Sequence, residues 1–294
     1  MTRERRLSPQ IRKDPSMTDT TRKIVLIQPA GAERQERFYR ELTDVIPGDR
    51  IEHGLQLGMP REMWPDAVTK EEFAAEAVRR FHLFNERSWR PDFTKPWDYI
   101  MPDIEPEADD DHDFGWQWRN ITEGIDKAST LAIEEMMKQL RPLSPDSKFF
   151  LYGNPRPPVI GRISEERQKA ISTHDRMLRS FDAVPLHLYP THGNKPQNIA
   201  NRAVTSDNVM DHVNRALHGH EVLSQFGLPQ LPMFWPRWGM DNGPWFTVYL
   251  RALNFKFDIN RIIIWLNPHN DTMHNVYMRE LLEGSDAILD WLGV

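Results

Sequence analysis

Short apolar runs alternating with longer stretches of helical spacing set the tightest limit on what this chain can fold into. The runs are Lys23–Gln28, Ile51–Leu57, Trp97–Pro102, Phe149–Tyr152, Ala183–Leu188, Leu231–Trp235 and Arg261–Leu266. Each has the length of a strand rather than of a helix, and turn-forming residues bound most of them. Between them lie helical patterns at Glu33–Thr43, Lys70–Arg87, Trp116–Leu140, Glu165–Ser180, Asp207–Phe226 and Pro244–Asn254, with Val276–Leu292 closing the chain. Ser164 and either Ser206 or Asp207 are the candidate N-caps among them. Strands separated by helix-length crossovers run parallel, so the order predicts repeated βα units and a parallel sheet.

Such a sheet either closes into a TIM-like (β/α) barrel or stays open and doubly wound. The open alternative carries its ligand on a glycine-rich phosphate loop after the first strand, and here that position reads Pro29-Ala30-Gly31-Ala32. The barrel of seven or eight strands, possibly distorted, is the better expectation. Several strands run into a polar or aromatic group beside a proline: Gln28-Pro29, Gly153-Asn154-Pro155, His187-Leu188-Tyr189-Pro190, Trp235-Pro236-Arg237-Trp238 and Asn267-Pro268-His269-Asn270. In a barrel the carboxyl ends of all strands open onto one face, where catalysis is built, so these residues would form one rim.

With 294 residues the chain is long enough for one such barrel, and no repeat or composition break divides it after residue 22. We therefore read 1–22 as a disordered basic tail and 23–294 as a single barrel domain. The tail holds Arg3, Arg5, Arg6, Arg12 and Lys13 but no apolar segment of the kind a secretory signal needs. By default this suggests the cytoplasm; export by a non-classical route or residence in a viral particle are the alternatives. A net charge of -6 speaks against nucleic acid or an anionic membrane as partner. No apolar run reaches the length that spans a bilayer. The absence of cysteine removes disulfides, thiolate metal sites and a cysteine nucleophile.

The third run ends in the chain's most suggestive chemistry, Asp103-Ile104-Glu105. Strand side chains alternate faces, so the two acids would project together with Ile104 on the opposite side. Neighbouring carboxylates raise one pKa, leaving one group protonated as a general acid while the other stays ionised. Glycosidic bond cleavage uses that division of labour. The competing reading is that both acids open a solvated acidic loop, since Glu107, Asp109, Asp110, Asp111 and Asp113 follow closely.

Taken in order, several motifs resemble the hyaluronidase family of glycoside hydrolases. Asp103-Ile104-Glu105 matches its acidic pair at a third-strand end, and the helix after it ends in Leu140-Arg141-Pro142. Leu151-Tyr152-Gly153-Asn154-Pro155, Leu186-His187-Leu188-Tyr189 and Ile262-Ile263-Ile264-Trp265 continue the likeness over about residues 97–270. The resemblance implies a distorted barrel that hydrolyses an N-acetylhexosamine linkage by substrate assistance, the sugar's own acetamido oxygen replacing an enzyme nucleophile. It also implies that Glu105 is the acid and base, that Asp103 orients the acetamido group, that Tyr189 helps position it, and that Trp265 underlies the sugar ring, with Tyr152 nearby. The chain departs from the family in lacking disulfides and in crowding acids beside the pair. Such a loop repels a polyanionic glycan unless Arg119, Arg156, Arg162 or Arg237 compensates, so a neutral or amino-sugar polymer such as a chitin-like chain or peptidoglycan is at least as good a candidate substrate.

Each accessory residue also has a structural reading. Tyr189 and Trp265 suit a strand-end core, and Trp235 with Arg237 suits either a subsite or packing between helices. His187 would share a face with Tyr189, and Asn267 stands on the same rim. Asp109–Asp113 with His112, and His269-Asn270-Asp271 with His274, match neither a calcium loop nor a zinc-protease template, so no metal or cofactor is expected. No G-x-S-x-G elbow occurs to support serine hydrolase chemistry. The expected partner is an oligosaccharide or polysaccharide. The expected function is hydrolysis of a β-linked N-acetylhexosamine-containing glycan; the alternative is a non-catalytic glycan-binding or structural protein on the same barrel.

Overall fold

The fold was described from a computed structural model at residues 22–27, 31–60, 63, 68–104, 123–152, 175–187, 214, 217, 220, 221, 224, 227–234, 259–265 and 285–294. The basic segment before residue 22 and the acidic loop Asp109–Asp113 lie outside the described residues, as do Ser164, Ser206 and Asp207. Seven strands occur where the apolar runs predict them: β1 (Lys23–Ile27), β2 (Ile51–Gly58), β3 (Tyr99–Asp103), β4 (Lys148–Phe149), β5 (Val184–His187), β6 (Gln230–Phe234) and β7 (Arg261–Trp265). The helices are α1 (Ala32–Thr43), α2 (Lys70–Arg87), α3 (Glu123–Leu140), α4 (Asp175–Leu178) and α5 (Ser285–Leu292). Of the expected helices, Trp116–Leu140, Glu165–Ser180 and Val276–Leu292 are described only in their C-terminal parts, and Pro244–Asn254 not at all.

All seven strands belong to one sheet in the order β4-β3-β2-β1-β7-β6-β5, and every hydrogen-bonded pair is parallel. The two ends of that order meet. Phe150, just past β4, forms a parallel bridge with Ala183, just before β5, and the Asp182 N–H donates to the Phe149 carbonyl at 2.8 Å. The strands therefore follow one another around a (β/α) barrel in chain order, distorted at a seam between β4 and β5 where backbone pairing is sparse. Side chains reinforce that seam. The Asp182 carboxylate accepts the Phe149 N–H at 2.8 Å and both guanidinium N–H groups of Arg141 at 3.1 Å, while Arg141 also donates to the Ser180 carbonyl at 2.8 Å. Past β4, Phe150 and Tyr152 still donate to the carbonyls of Ile100 and Pro102, so the β3 register continues through the expected run.

Both faces of the sheet are dry, which is why the strands read as nearly continuous apolar runs. Ile24, Leu26, Ile100, Ile262 and Ile264 join Phe38 and Leu42 of α1, Phe73 and Phe81 of α2, Met136 of α3 and Trp291 of α5 in one buried cluster. Each such side chain contributes ~1.5–3 kcal/mol when fully buried. The helix α2 starts on a capping box, because the Thr69 side chain accepts from the Glu72 N–H and the Glu72 carboxylate accepts from the Thr69 N–H. Among the described residues no helix is long and apolar enough to cross a membrane.

Candidate functional site at the carboxyl end of the barrel

Period-two alternation along β2 puts Glu52, Gly54, Gln56 and Gly58 on one face. Their contacts show it to be the barrel interior: a Cβ built on Gly54 falls 2.7 Å from Cγ1 of Ile27 on β1, and Glu52 accepts two bonds from Arg261 of β7, at 2.7 and 3.0 Å. Lys23 stands 3.5 Å from the same carboxylate. This ion cluster sits at the amino end of the strands. Tyr99 lies beside it, and burial, then the Glu52 charge, pushes its phenol up to about 12.

The carboxyl end carries the other polar cluster. Asp103 is the last residue of β3 and pairs with Gly58 on one side and Tyr152 on the other. It is half-buried inside a hydrogen-bonded ladder, whereas the loop reading would have it solvated; Ile104 beside it is 1% exposed. Its Oδ2 accepts a short hydrogen bond from Nε2 of Gln56, whose Oε1 accepts from the indole Nε1 of Trp265 at 3.0 Å. Tyr152 closes the group, its ring centroid 5.3 Å from that of Trp265 at a 42° tilt. The Gln56 amide thus links β2 to the ends of β3 and β7, and Tyr152 packs against the last of these. Trp265 is 7% exposed and Tyr152 2%, so the two rings are packed together beside the acid.

The end of β2 is held in place and leaves room. Arg80 of α2 donates to the Gly58 carbonyl at 2.7 Å and is itself bound by Glu76 at 2.8 Å. Glu76 is lowered to about 2, first by its hydrogen bond with Arg79 and also by Arg80. A Cβ added at Gly58 meets no atom within 4 Å, which marks open space directly beside Asp103 among the described residues. Among the described residues no three His, Asp or Glu side chains gather to hold a metal ion.

Of the residues singled out from the sequence, Asp103, Tyr152 and Trp265 come together in this cluster. His187 ends β5 opposite Met233 of β6, at the same end of the sheet. Glu105, Tyr189, Trp235, Arg237 and Asn267 lie outside the described residues. Gln56 is the member that sequence reasoning missed. Its signal was a polar residue at an inward position of a buried strand, flanked at i-2 and i+2 by glycines.

No family model and no curated protein matches the chain. Solved structures with a similar course include a GH5-4 broad specificity endoglucanase from Clostridium longisporum, at 10% identity and a TM-score of 0.47 over 90% of this chain and 82% of that one. A GH5-4 broad specificity endoglucanase from an uncultured bacterium gives 8% identity and a TM-score of 0.44 over 88% and 81%. The agarase AgWH50C gives 8% and 0.41 over 86% of this chain and 44% of its own.

Proposed function

We propose that this protein is a glycoside hydrolase that cleaves a β-linked N-acetylhexosamine-containing glycan by a substrate-assisted, retaining route. The observation that carries the reading is the inward-facing Asp103 at the carboxyl end of the barrel, held by Gln56 beside the Trp265–Tyr152 pair, with no atom of the described residues within 4 Å of a Cβ at the neighbouring Gly58. In the reaction the acetamido carbonyl oxygen attacks the anomeric carbon as the glycosidic C–O bond breaks, and Glu105 gives its proton to the leaving oxygen. Asp103, ionised, accepts the acetamido N–H and offsets the positive charge that develops on the oxazolinium. Glu105 then takes a proton from the water that opens the ring. Tyr152 and Trp265 form the base of the subsite, and Tyr189, His187, Trp235, Arg237 and Asn267 complete its rim.

Release of reducing ends from chitin oligomers, peptidoglycan or hyaluronan tests this reading. We expect turnover of at least one of them, and a loss of at least about 10²-fold in Glu105→Gln at an unchanged melting temperature. No release by the parent protein from any of the three would overturn the hydrolase, and glycan affinity that survives Glu105→Gln would then identify a binding protein.

A further inference from the structure

Gln56 hydrogen-bonds both Asp103 and Trp265, and the direction of its two hydrogen bonds is fixed. An indole N–H donates and never accepts, so the atom of Gln56 facing Trp265 is the carbonyl oxygen. The amide is planar, and its other end must therefore present N–H to Asp103. An N–H donor aimed at Oδ2 demands a lone pair there, which favours the carboxylate and disfavours a proton on that oxygen. The strand flanks Gln56 with two glycines on the same face: Ile27 of β1 fills the space over Gly54, and among the described residues nothing stands within 4 Å of a Cβ at Gly58.

We propose that Gln56 is a positioning residue for the reaction, orienting Asp103 and keeping it an acceptor, with Trp265 as the anchor that prevents the amide from flipping. The inference deepens the proposed function and rests on it for its kinetic arm alone. Asp103 must accept the acetamido N–H of the substrate, and a carboxylate free to rotate or to hold a proton toward the sugar loses that alignment. By tying Oδ2 to β2, Gln56 leaves the second oxygen's direction determined by the plane of the carboxyl group.

Two substitutions separate this role from mere packing. Gln56→Glu keeps the shape and the acceptor for Trp265 but sets a second carboxyl group against Asp103, so that the pair shares a proton and Asp103 is no longer held as an acceptor alone. Gln56→Met keeps the volume and removes both bonds. Both variants are expected to lower kcat roughly 10- to 100-fold with KM within about threefold, because the lost alignment matters most as charge develops. A Gln56→Met enzyme with wild-type kcat would overturn the proposal. A readout without turnover accompanies it: the indole N–H resonance of Trp265, assigned through Trp265→Phe, is expected to shift when Asp103→Asn is introduced into the parent and to stay put when it is introduced into Gln56→Met. Equal shifts in both backgrounds would also overturn it. Should the parent hydrolyse none of the test glycans, the proposed function fails while the indole comparison still decides whether Gln56 couples the two groups.

Discussion

Two glycines on one face of β2 have opposite requirements. At Gly54 an added Cβ meets Cγ1 of Ile27 at 2.7 Å and Cδ1 at 3.1 Å, deep inside the barrel, where neither the backbone nor a β-branched side chain yields easily. We expect Gly54→Ala to cost about 1–3 kcal/mol in urea unfolding, the usual penalty of overpacking. At Gly58 the same addition meets no atom of the described residues within 4 Å. Gly58→Leu should therefore unfold within about 0.5 kcal/mol of the parent while filling the space beside Asp103 and raising KM for the glycan. A stable Gly58→Leu protein with unchanged KM would show that substrate does not enter there.

Packing between elements places one titratable ring where it cannot easily charge. His53 of β2 lies with its ring 5.1 Å from Tyr39 of α1 and 6.4 Å from Trp89 after α2, and burial, with the Arg90 charge second, lowers it to about 4. The folded pKa is below the unfolded one, so between about pH 6.5 and 4 the unfolded chain binds the proton that the folded chain refuses. Stability falls as pH drops through that window and levels off below it, by a total on the order of 3 kcal/mol. His53→Phe keeps a ring between the two aromatics and should flatten this acid limb. The check is the difference in melting temperature between pH 7 and 4.5, which should shrink in the variant; an equal difference would assign the acid sensitivity to other groups.

At the scale of the whole molecule, closure of the barrel depends on a side chain doing a strand's work. Asp182 supplies an acceptor to the buried Phe149 N–H at the seam, and Arg141 holds it there. The ion pair itself is partly exposed and adds little, whereas the unsatisfied N–H left by Asp182→Ala costs about 1–3 kcal/mol. We expect that loss in equilibrium unfolding, together with faster amide hydrogen exchange at Phe149 and Phe150 while β1 and β2 stay protected. Protection at the seam equal to the parent's would mean that backbone pairing alone closes the sheet.

Periodicity made the elements legible, because a two-residue alternation, an apolar run and a 3.6-residue spacing are local properties. The seven runs and the span Lys70–Arg87 could be read directly, whereas the capping box of Thr69 and Glu72, local though it is, was not among the N-caps read from the sequence. Asp103 was visible as the polar end of an apolar strand, and Tyr152 and Trp265 as aromatic residues at two others. What no local pattern contains is that Gln56 lies against Trp265, 209 residues away, and within reach of Asp103. Those contacts depend on the stagger between neighbouring strands and on the closing of the sheet between β4 and β5. The sequence by itself determined which segments are strands; only closure decided which inward residues share one end of the barrel, because register and shear are properties of strand pairs and not of any strand alone.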